Sequence, residues 1–586
     1  MSALKTLNPY FYKHKKLLLL GVIFIILSNF FAVYPVKFVG YAINIIAETL
    51  NTDEQLPDKD KLFKQLLFYG GIIVLAPVIS GVMKFYMRQT IIVASRRIEF
   101  ELKNNIYKHY QTLSFSFFKK SKIGDLMNRI SEDVANVRQY LGPGVMYSIN
   151  MAVMLIVILI YMLLSDPIMT AYALFPLPFL SYFIYRQSTV INKKTKIVQG
   201  KQSELSSFVQ DSFSGIRVIK SFTKEEYIIS KYAAKSNEYR EKSLSLATTE
   251  AFFSPLMLLI IGLSNLFILY IGGQRYITGK INVGTITDFF LYLNILIWPF
   301  TALGWVISIA RRAEASMERI NDFLRIEEEI KNTHSEVYPI KGAIRFENVS
   351  YTYPNTGIKA LDTVSFEINP GETVVFMGKT GSGKSTVALL LERLIEPDSG
   401  TIYIDDKPLQ EHNLELVRNK TGYVPQESFL FSDTIFNNIA YGVEYPTLEQ
   451  VIKYAKQAEI HSNIMGFKEQ YRTEVGERGI TLSGGQKQRI SISRALIKNP
   501  VLFLFDDSLS AVDTETEEKI LANIKSETNN RTTVIITHRV SSAKNSDRII
   551  VLEGGRIKEA GSHKELLATG GFYSESYKKQ ITEKQS

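Results

Sequence analysis

The chain has 586 residues, a formal charge of +10, 46% apolar residues and no cysteine; it is long for one domain and suits two or three. The absence of cysteine excludes disulfides, zinc–thiolate sites and a cysteine nucleophile. The basic residues sit mainly beside long apolar runs and form no aromatic–basic stacking surface, which points to orientation in a membrane rather than to nucleic acid.

Residues 1–16 form a short N-terminal segment that carries Lys13, Lys15 and Lys16. The run Leu17 to Gly40 follows; it is too long for a signal-peptide core and reads as an uncleaved membrane span. Further candidate spans lie at about 66–87, 145–164, 168–186, 251–272 and 284–310, each near the ~20 residues a bilayer requires. Their connections differ sharply. Residues 41–65 carry three Lys and no Arg, and the third and fourth spans are joined by little more than "SDP". By contrast, residues 88–144 carry ten Lys/Arg and residues 187–250 carry eleven. Basic loops stay cytoplasmic, which places both termini there. Stretches such as "SRRIEFELKNNIYKHYQTL" are expected to continue the spans as helices well beyond the lipid.

Lys37, Lys84 and Asp288 fall near or within spans. They could line a substrate path, but snorkelling from the span ends is the expectation. The last span is rich in aromatics, Phe289, Phe290, Tyr292, Trp298, Phe300 and Trp305; packing and interfacial anchoring are their ordinary uses, with a cavity for a greasy cargo as the alternative.

After Arg311 comes a charged helix and a looser link, "THSEVYPI", and a mixed α/β pattern begins near Lys341. The layout is therefore 17–325 for the membrane domain, 326–340 for a linker and 341–586 for an α/β domain. "ETVVFMGKTGSGKSTVALLLERL" reads as a strand, a glycine loop and a helix. It contains G-x-x-x-x-G-K-S, with Gly378, Lys379, Thr380, Gly381, Ser382, Gly383, Lys384, Ser385 and Thr386 as the phosphate-binding stretch. The glycines let backbone N–H groups turn toward phosphate oxygens, and the helix N-terminus adds its positive end. Lys384 would neutralise the β- and γ-phosphates of ATP, and Ser385 would ligate Mg²⁺. Asp506, at the end of "VLFLF", fits the acid that holds Mg²⁺. Ser483, Gly484, Gly485 and Gln486 open a second glycine-bearing helix, a second anion site that a single phosphate loop does not require.

These motifs together resemble the nucleotide-binding domain of ATP-binding-cassette (ABC) transporters, with "LSGGQ" at 482–486 as the signature. By the same resemblance Tyr353 corresponds to the aromatic that stacks on adenine, and Gln426 to the Q-loop glutamine at the metal and the attacking water. His538 corresponds to the switch histidine, and Ser510–Asp513 to the D-loop. "TEVGERG" (473–479) is similar to the loop before the signature in exporters. "FFKKSKIGDLMNRISEDVANVRQ" and "GIRVIKSFTKEEY" are similar to the two intracellular loops of exporter membrane domains. Six spans followed by one cassette is the half-transporter layout, similar to bacterial lipid-flipping and multidrug exporters of the type IV fold. The implied architecture is a six-helix transmembrane bundle with long cytoplasmic helical extensions, fused to a P-loop α/β ABC ATPase domain with a helical subdomain. The implied location is multi-pass in the bacterial plasma (inner) membrane, with the ATPase domain cytoplasmic.

One cassette has one phosphate loop and one signature, so the resemblance implies a dimer in which each ATP lies between the phosphate loop of one chain and the signature of the other. In the family the residue after the Walker B Asp is usually Glu; here it is Asp507. The shorter side chain withdraws the carboxylate by roughly 1.5 Å, and misplacement of about 1 Å can lower a rate about a hundredfold. A carboxylate that still reaches the water remains a competent base. Two readings follow: a homodimer that hydrolyses ATP through Asp507, or the degenerate-site subunit of a heterodimeric exporter. An ATP-gated channel or regulator is the reading from another class. The cargo is expected to be hydrophobic or amphipathic, lipid or drug.

Overall fold

The computed structural model describes residues 3–51, 59–476, 479, 482–527 and 531–585. Residues 52–58 of the first outer connection, and Glu477 and Arg478 of "TEVGERG", lie outside the described residues. The chain divides into two compact units, one of residues 1–110 and 124–326, the other of residues 111–123 and 327–586.

The first unit is made of long helices. Lys15–Asn51 runs through Pro35 without ending, which a membrane helix tolerates when neighbours satisfy the freed backbone. Lys59–Thr112 is a single helix of 54 residues, about 80 Å at 1.5 Å per residue, against a hydrocarbon core of about 30 Å. The expected helical extension beyond the lipid follows directly. Five stretches are long and apolar enough to cross a membrane: Lys15–Leu50, Asp60–Thr112, Ile123–Ser165, Glu225–Ile277 and Val283–Leu324. The stretch expected at 168–186 is not among them. It is split into Pro167–Leu174 and Leu177–Ser214; Pro176 and Pro178 lack the N–H donors that would carry one helix through. Much apolar surface faces outward, including Leu67, Val74, Leu75, Leu258, Leu266 and Tyr270, an arrangement suited to lipid and not to water.

The "SDP" corner is as tight as expected. Asp166 is extended, its carboxylate accepts from Met169 N at 2.8 Å, and Pro167 opens the next helix. Arg275 Nε donates to the same carboxylate at 2.8 Å, so Asp166 is both a helix cap and a charge partner.

In the last helix Phe289 and Tyr292 are fully buried, whereas Trp298 and Trp305 are about half exposed and meet the ring of Tyr147 at 5.6 and 5.5 Å. Packing accounts for Phe289 and Tyr292. Lys84 is exposed. Asp288 departs from the snorkelling expectation: it is only 7% exposed. The cause is a backbone-close crossing of Lys15–Asn51 with Val283–Leu324. A Cβ on Gly284 would lie 2.0 Å from Gly40 O, and one on Gly40 would lie 2.3 Å from Asp288 Oδ1. Two glycines let the helices approach until the carboxylate is enclosed.

The second unit carries two sheets. Strands β1 (Ile344–Thr352), β2 (Lys359–Ile368), β4 (Ser399–Ile404) and β5 (Lys407–Pro408) form an antiparallel sheet in the order β2-β1-β4-β5. Strands β3 (Thr373–Met377), β6 (Thr421–Val424), β7 (Leu502–Asp506), β8 (Thr532–Ile536), β9 (Arg548–Glu553) and β10 (Arg556–Gly561) form the other, in the order β10-β9-β3-β8-β7-β6. Within it β9, β3, β8, β7 and β6 are parallel neighbours. Strands β3, β7 and β8 are apolar and almost wholly buried, the pattern of a sheet covered on both faces. The helices Ile435–Ala440, Leu448–Gln457 and Gly484–Ile497 pack on a shared apolar core with Phe503 and Phe505, which is the expected helical subdomain.

One buried acid makes this unit pH-sensitive. Glu392 is 7% exposed and its Oε1 has no hydrogen-bond partner among the described residues. Arg418 and Lys498 stand nearby but donate to main-chain oxygens, Arg418 to Glu392 O and Arg393 O, Lys498 to Arg418 O and Thr421 O. Burial therefore outweighs the attraction of these cations and pushes the Glu392 carboxyl up to about 7. An acid raised in the fold binds its proton more tightly than the unfolded chain does. The penalty is thus full above pH 7 and disappears as pH falls toward the usual value of 4.5. Glu392→Gln is expected to raise the melting temperature of the ATPase unit by several degrees at pH 8, for a gain of up to about 3 kcal/mol. The gain should fade between pH 7 and 4.5, as melting curves of both proteins would show; a gain that does not change with pH would refute the assignment.

Candidate nucleotide site at the strand ends

Four parallel strands deliver the expected site residues to one edge of the sheet. β3 leads into the glycine loop, β8 into His538, β7 ends in Asp506, and Gln426 lies just past β6, exposed. Register ties them together: Phe376 and Asp506 both align with Ile536. Ligands of parallel α/β sheets bind beyond the carboxyl ends of the strands, and this edge holds the whole constellation.

The loop depends on its glycines. Gly383 has φ +98° and precedes the helix Lys384–Leu391; a Cβ there would fall 2.1 Å from Ala360 O. Gly378 has φ +143° and would meet Leu552 O at 2.1 Å. Neither position accepts another residue without moving backbone. Lys384 Nζ donates to Gly378 O at 2.9 Å and to Lys379 O at 2.8 Å, and burial lowers its pKa despite Asp506 and Asp507 nearby. The ammonium thus arches over the mouth of the loop, where a phosphate would take the place of the carbonyls.

Ser385 Oγ donates to Asp506 Oδ1 at 2.8 Å. Asp506 is 4% exposed, and burial, with help from the Asp507 charge, raises its pKa against the pull of Ser385 and Lys384. A hydroxyl beside a buried carboxylate is the hard-oxygen set that suits Mg²⁺. Among the described residues no group of three or more His, Asp or Glu could hold a metal unaided. An ion here would take most of its ligands from phosphate and water oxygens, as Mg²⁺ does at nucleotide sites.

Asp507 adopts a left-handed backbone, φ +45°, with its N–H donating to Ile536 O at 2.8 Å. Asp is among the few residues that enter this region readily. Its Oδ1 lies 3.0 Å from His538 Nδ1, where a ring N–H donates to an ionised carboxylate, and Oδ2 has no hydrogen bond among the described residues. Tyr353, on the other side of the loop, places its hydroxyl 3.2 Å from Thr386 Oγ1. Lys119 Nζ lies 4.7 Å from the ring centroid of Tyr353. Lys119 belongs to the short helix Phe115–Lys120, which groups with this unit.

Ser483 and Gln486 form a reciprocal cap at the start of Gly484–Ile497, with Gln486 N donating to Ser483 Oγ and Ser483 N to Gln486 Oε1. Among the described residues none of their hydrogen bonds reaches the glycine loop. The structure thus brings Tyr353, residues 378–386, Asp506, Asp507 and His538 together, and leaves Ser483–Gln486 on a separate helix.

The profile of the ABC transporter transmembrane region matches residues 18–300, and that of the ABC transporter ATPase, described as "ABC transporter", matches residues 361–510. The chain is 35% identical to an uncharacterized ABC transporter ATP-binding protein, YknU, of Bacillus subtilis (strain 168), over 98% of this chain and 97% of that one. The chain belongs to the ABC transporter family. It is also 33% identical to the multidrug resistance-like ATP-binding protein MdlA of Escherichia coli (strain K12), over 100% and 97% of the two chains. Its fold matches the structure of a bacterial Atm1-family ABC exporter with ATP bound, at a TM-score of 0.77, 26% identity and 98% coverage of both chains. This ABC transporter is therefore a half-transporter of the type IV exporter kind, a multi-pass membrane protein whose ATPase domain binds ATP.

Two residues of the ABC transporter site escaped the sequence reading. Arg539 donates to Val512 O at 2.9 Å, to Ser510 O at 2.5 Å and to the fully buried Glu517 at 2.6 Å. Gln488 accepts from Ala511 N at 3.0 Å. Between them they hold the loop Ser510–Asp513 between His538 and the signature helix. The only hint in the sequence was the position of Arg539, immediately after His538.

Proposed function

We propose that this exporter uses ATP to move a hydrophobic or amphipathic molecule, lipid or drug, from the inner side of the membrane outward, as a two-chain assembly. The observation that carries this reading is the convergence of the glycine loop, His538, Asp506, Asp507 and Gln426 on one sheet edge, in a chain that also holds long apolar helices. In this reading residues 378–386 hold the phosphates, Tyr353 stacks on adenine, and Ser385, Asp506 and Gln426 hold Mg²⁺. Mg²⁺, when bound, neutralises charge on the β- and γ-oxygens. Asp507 takes a proton from the attacking water through Oδ2, while His538 keeps the carboxylate turned toward the edge. Ser483–Gln486 caps a helix whose amides meet no anion among the described residues; the γ-phosphate on a second chain is the partner they fit. The membrane domain crosses six times, the fourth crossing built from Pro167–Leu174 and the start of Leu177–Ser214, with both termini inside at the inner membrane. The name of the Escherichia coli relative, which refers to multidrug resistance, supports drug-like cargo.

A second reading keeps the same fold and lets Asp507 mark a degenerate site whose partner chain carries Glu. Inside-out vesicles separate the cases. ATP-dependent accumulation of a hydrophobic dye, abolished by Lys384→Met, is the expected result. Downhill flux without turnover would make the protein a channel, and ATP binding with neither flux nor turnover would favour the degenerate subunit.

A further inference from the structure

In the membrane unit two buried side chains each hold an oxygen without a hydrogen-bond partner among the described residues. Asp288 is 7% exposed and Tyr292 is 0% exposed; neither Asp288 Oδ1 nor the Tyr292 hydroxyl has a hydrogen-bond partner among the described residues. Both lie on Val283–Leu324, one turn apart, beside an apolar cluster of Val33, Val36, Ile158, Met162 and Phe289. A carboxylate in such surroundings is expensive and is retained where it meets a charge during function.

The surroundings show which charge. The ring of Tyr161 stacks on that of Tyr292 with centroids 6.2 Å apart, and Lys37 Nζ rests 5.8 Å from the centroid of Tyr161. Lys37 forms no ion pair within 4 Å among the described residues, and it is half-buried. A cation is thus already parked on an aromatic face beside a carboxylate without being locked to it. Aromatic rings next to an acid are the recognition chemistry of organic ammonium groups. The half-buried lysine has a long unbranched side chain and no ion pair among the described residues to hold it in place.

We propose that Asp288, Tyr292 and Tyr161 form a subsite for the cationic group of an amphipathic substrate, with Lys37 as the resident cation that the substrate displaces. This rests on the exporter reading above and narrows its cargo to lipophilic organic cations. Asp288 supplies charge, the paired rings supply a polarizable face, and the Tyr292 hydroxyl supplies an oxygen acceptor.

The test uses the full chain in lipid nanodiscs, with ethidium as an organic cation and Nile red as a neutral probe, each titrated for stimulation of ATP turnover. Asp288→Asn should raise the half-maximal ethidium concentration about tenfold or more, the loss of one good charge contact, and leave that of Nile red unchanged. Tyr292→Phe, which keeps the ring and its packing, should raise it less. Lys37→Gln should lower it, because the competing cation is gone. Opposite signs for positions 288 and 37 are the signature of the subsite. Shifts of the same sign at both positions, or equal shifts for both probes, would mean a structural charge pair and overturn the proposal. In vesicles, failure of the wild type to export either probe would sink the exporter reading itself. Export of both probes, with ethidium indifferent to Asp288→Asn, would sink the subsite alone.

Discussion

Asp507→Asn is expected to reduce ATP turnover by about a hundredfold or more, the usual contribution of a positioned general base, with ATP binding retained. Asn keeps the size of the side chain and tolerates the left-handed backbone of this position, so the fold should be undisturbed. It can still accept from His538 through its carbonyl oxygen, but it cannot take a proton from water. Phosphate release by the purified chain in lipid, set beside nucleotide binding, separates the two effects. Turnover indifferent to Asn would remove Asp507 from the chemistry. A wild type that binds ATP yet barely hydrolyses it would direct the search to a partner chain. The hydrogen bond at 3.0 Å to His538 favours the expected loss of turnover, because it orients a carboxylate that has one methylene less than the usual Glu.

The second large effect concerns where each ATP is completed. Lys384→Met removes the ammonium that arches over the glycine loop, and Ser483→Arg blocks the start of the signature helix and removes its cap. Each variant alone should hydrolyse almost nothing. Co-expressed in equal amounts, they should recover activity, because a mixed pair places one intact loop against one intact signature. Random pairing then leaves about a quarter of the wild-type sites whole, the expectation for a head-to-tail pair with two equivalent composite sites. If loop and signature worked within one chain, the mixture would stay as inactive as its parts. Ser483→Arg forfeits a cap worth about 1 kcal/mol, so a melting curve should confirm that the ATPase unit remains folded.

What could be read from the sequence was what short stretches decide. The strand, glycine loop and helix at 373–391 are set by neighbours in sequence, and every residue expected there is found at the strand ends. The apolar runs gave five crossing stretches, because length and hydropathy are additive along a helix. The fourth run is apolar too, but Pro176 and Pro178 lack backbone donors, and the helix is split there. Asp288 was misjudged for a different reason. Its enclosure needs Gly40 and Gly284 to meet, and the chain returns to Asn44 with Gly284 only after 240 residues. Arg539 and Gln488 are not legible because most of their partners are main-chain atoms of residues 510–512, which no residue type announces, and the pairing of Arg539 with Glu517 spans 22 residues.

The grouping of residues 111–123 with residues 327–586 has a consequence for how the chain is made. Ser114 Oγ donates to Glu329 Oε2, and Lys119 stands over Tyr353, yet roughly two hundred residues are synthesised between the two halves of this contact. At about 5–20 residues per second, the segment leaves the ribosome some ten to forty seconds before anything exists for it to bind. For that interval Phe115 and Phe118, still 42% and 40% exposed in the finished fold, are open to chaperones and proteases. Quality control of this protein during translation therefore has an early checkpoint whose resolution is written far downstream, and a ribosome stalled anywhere between residues 124 and 326 leaves it unanswered.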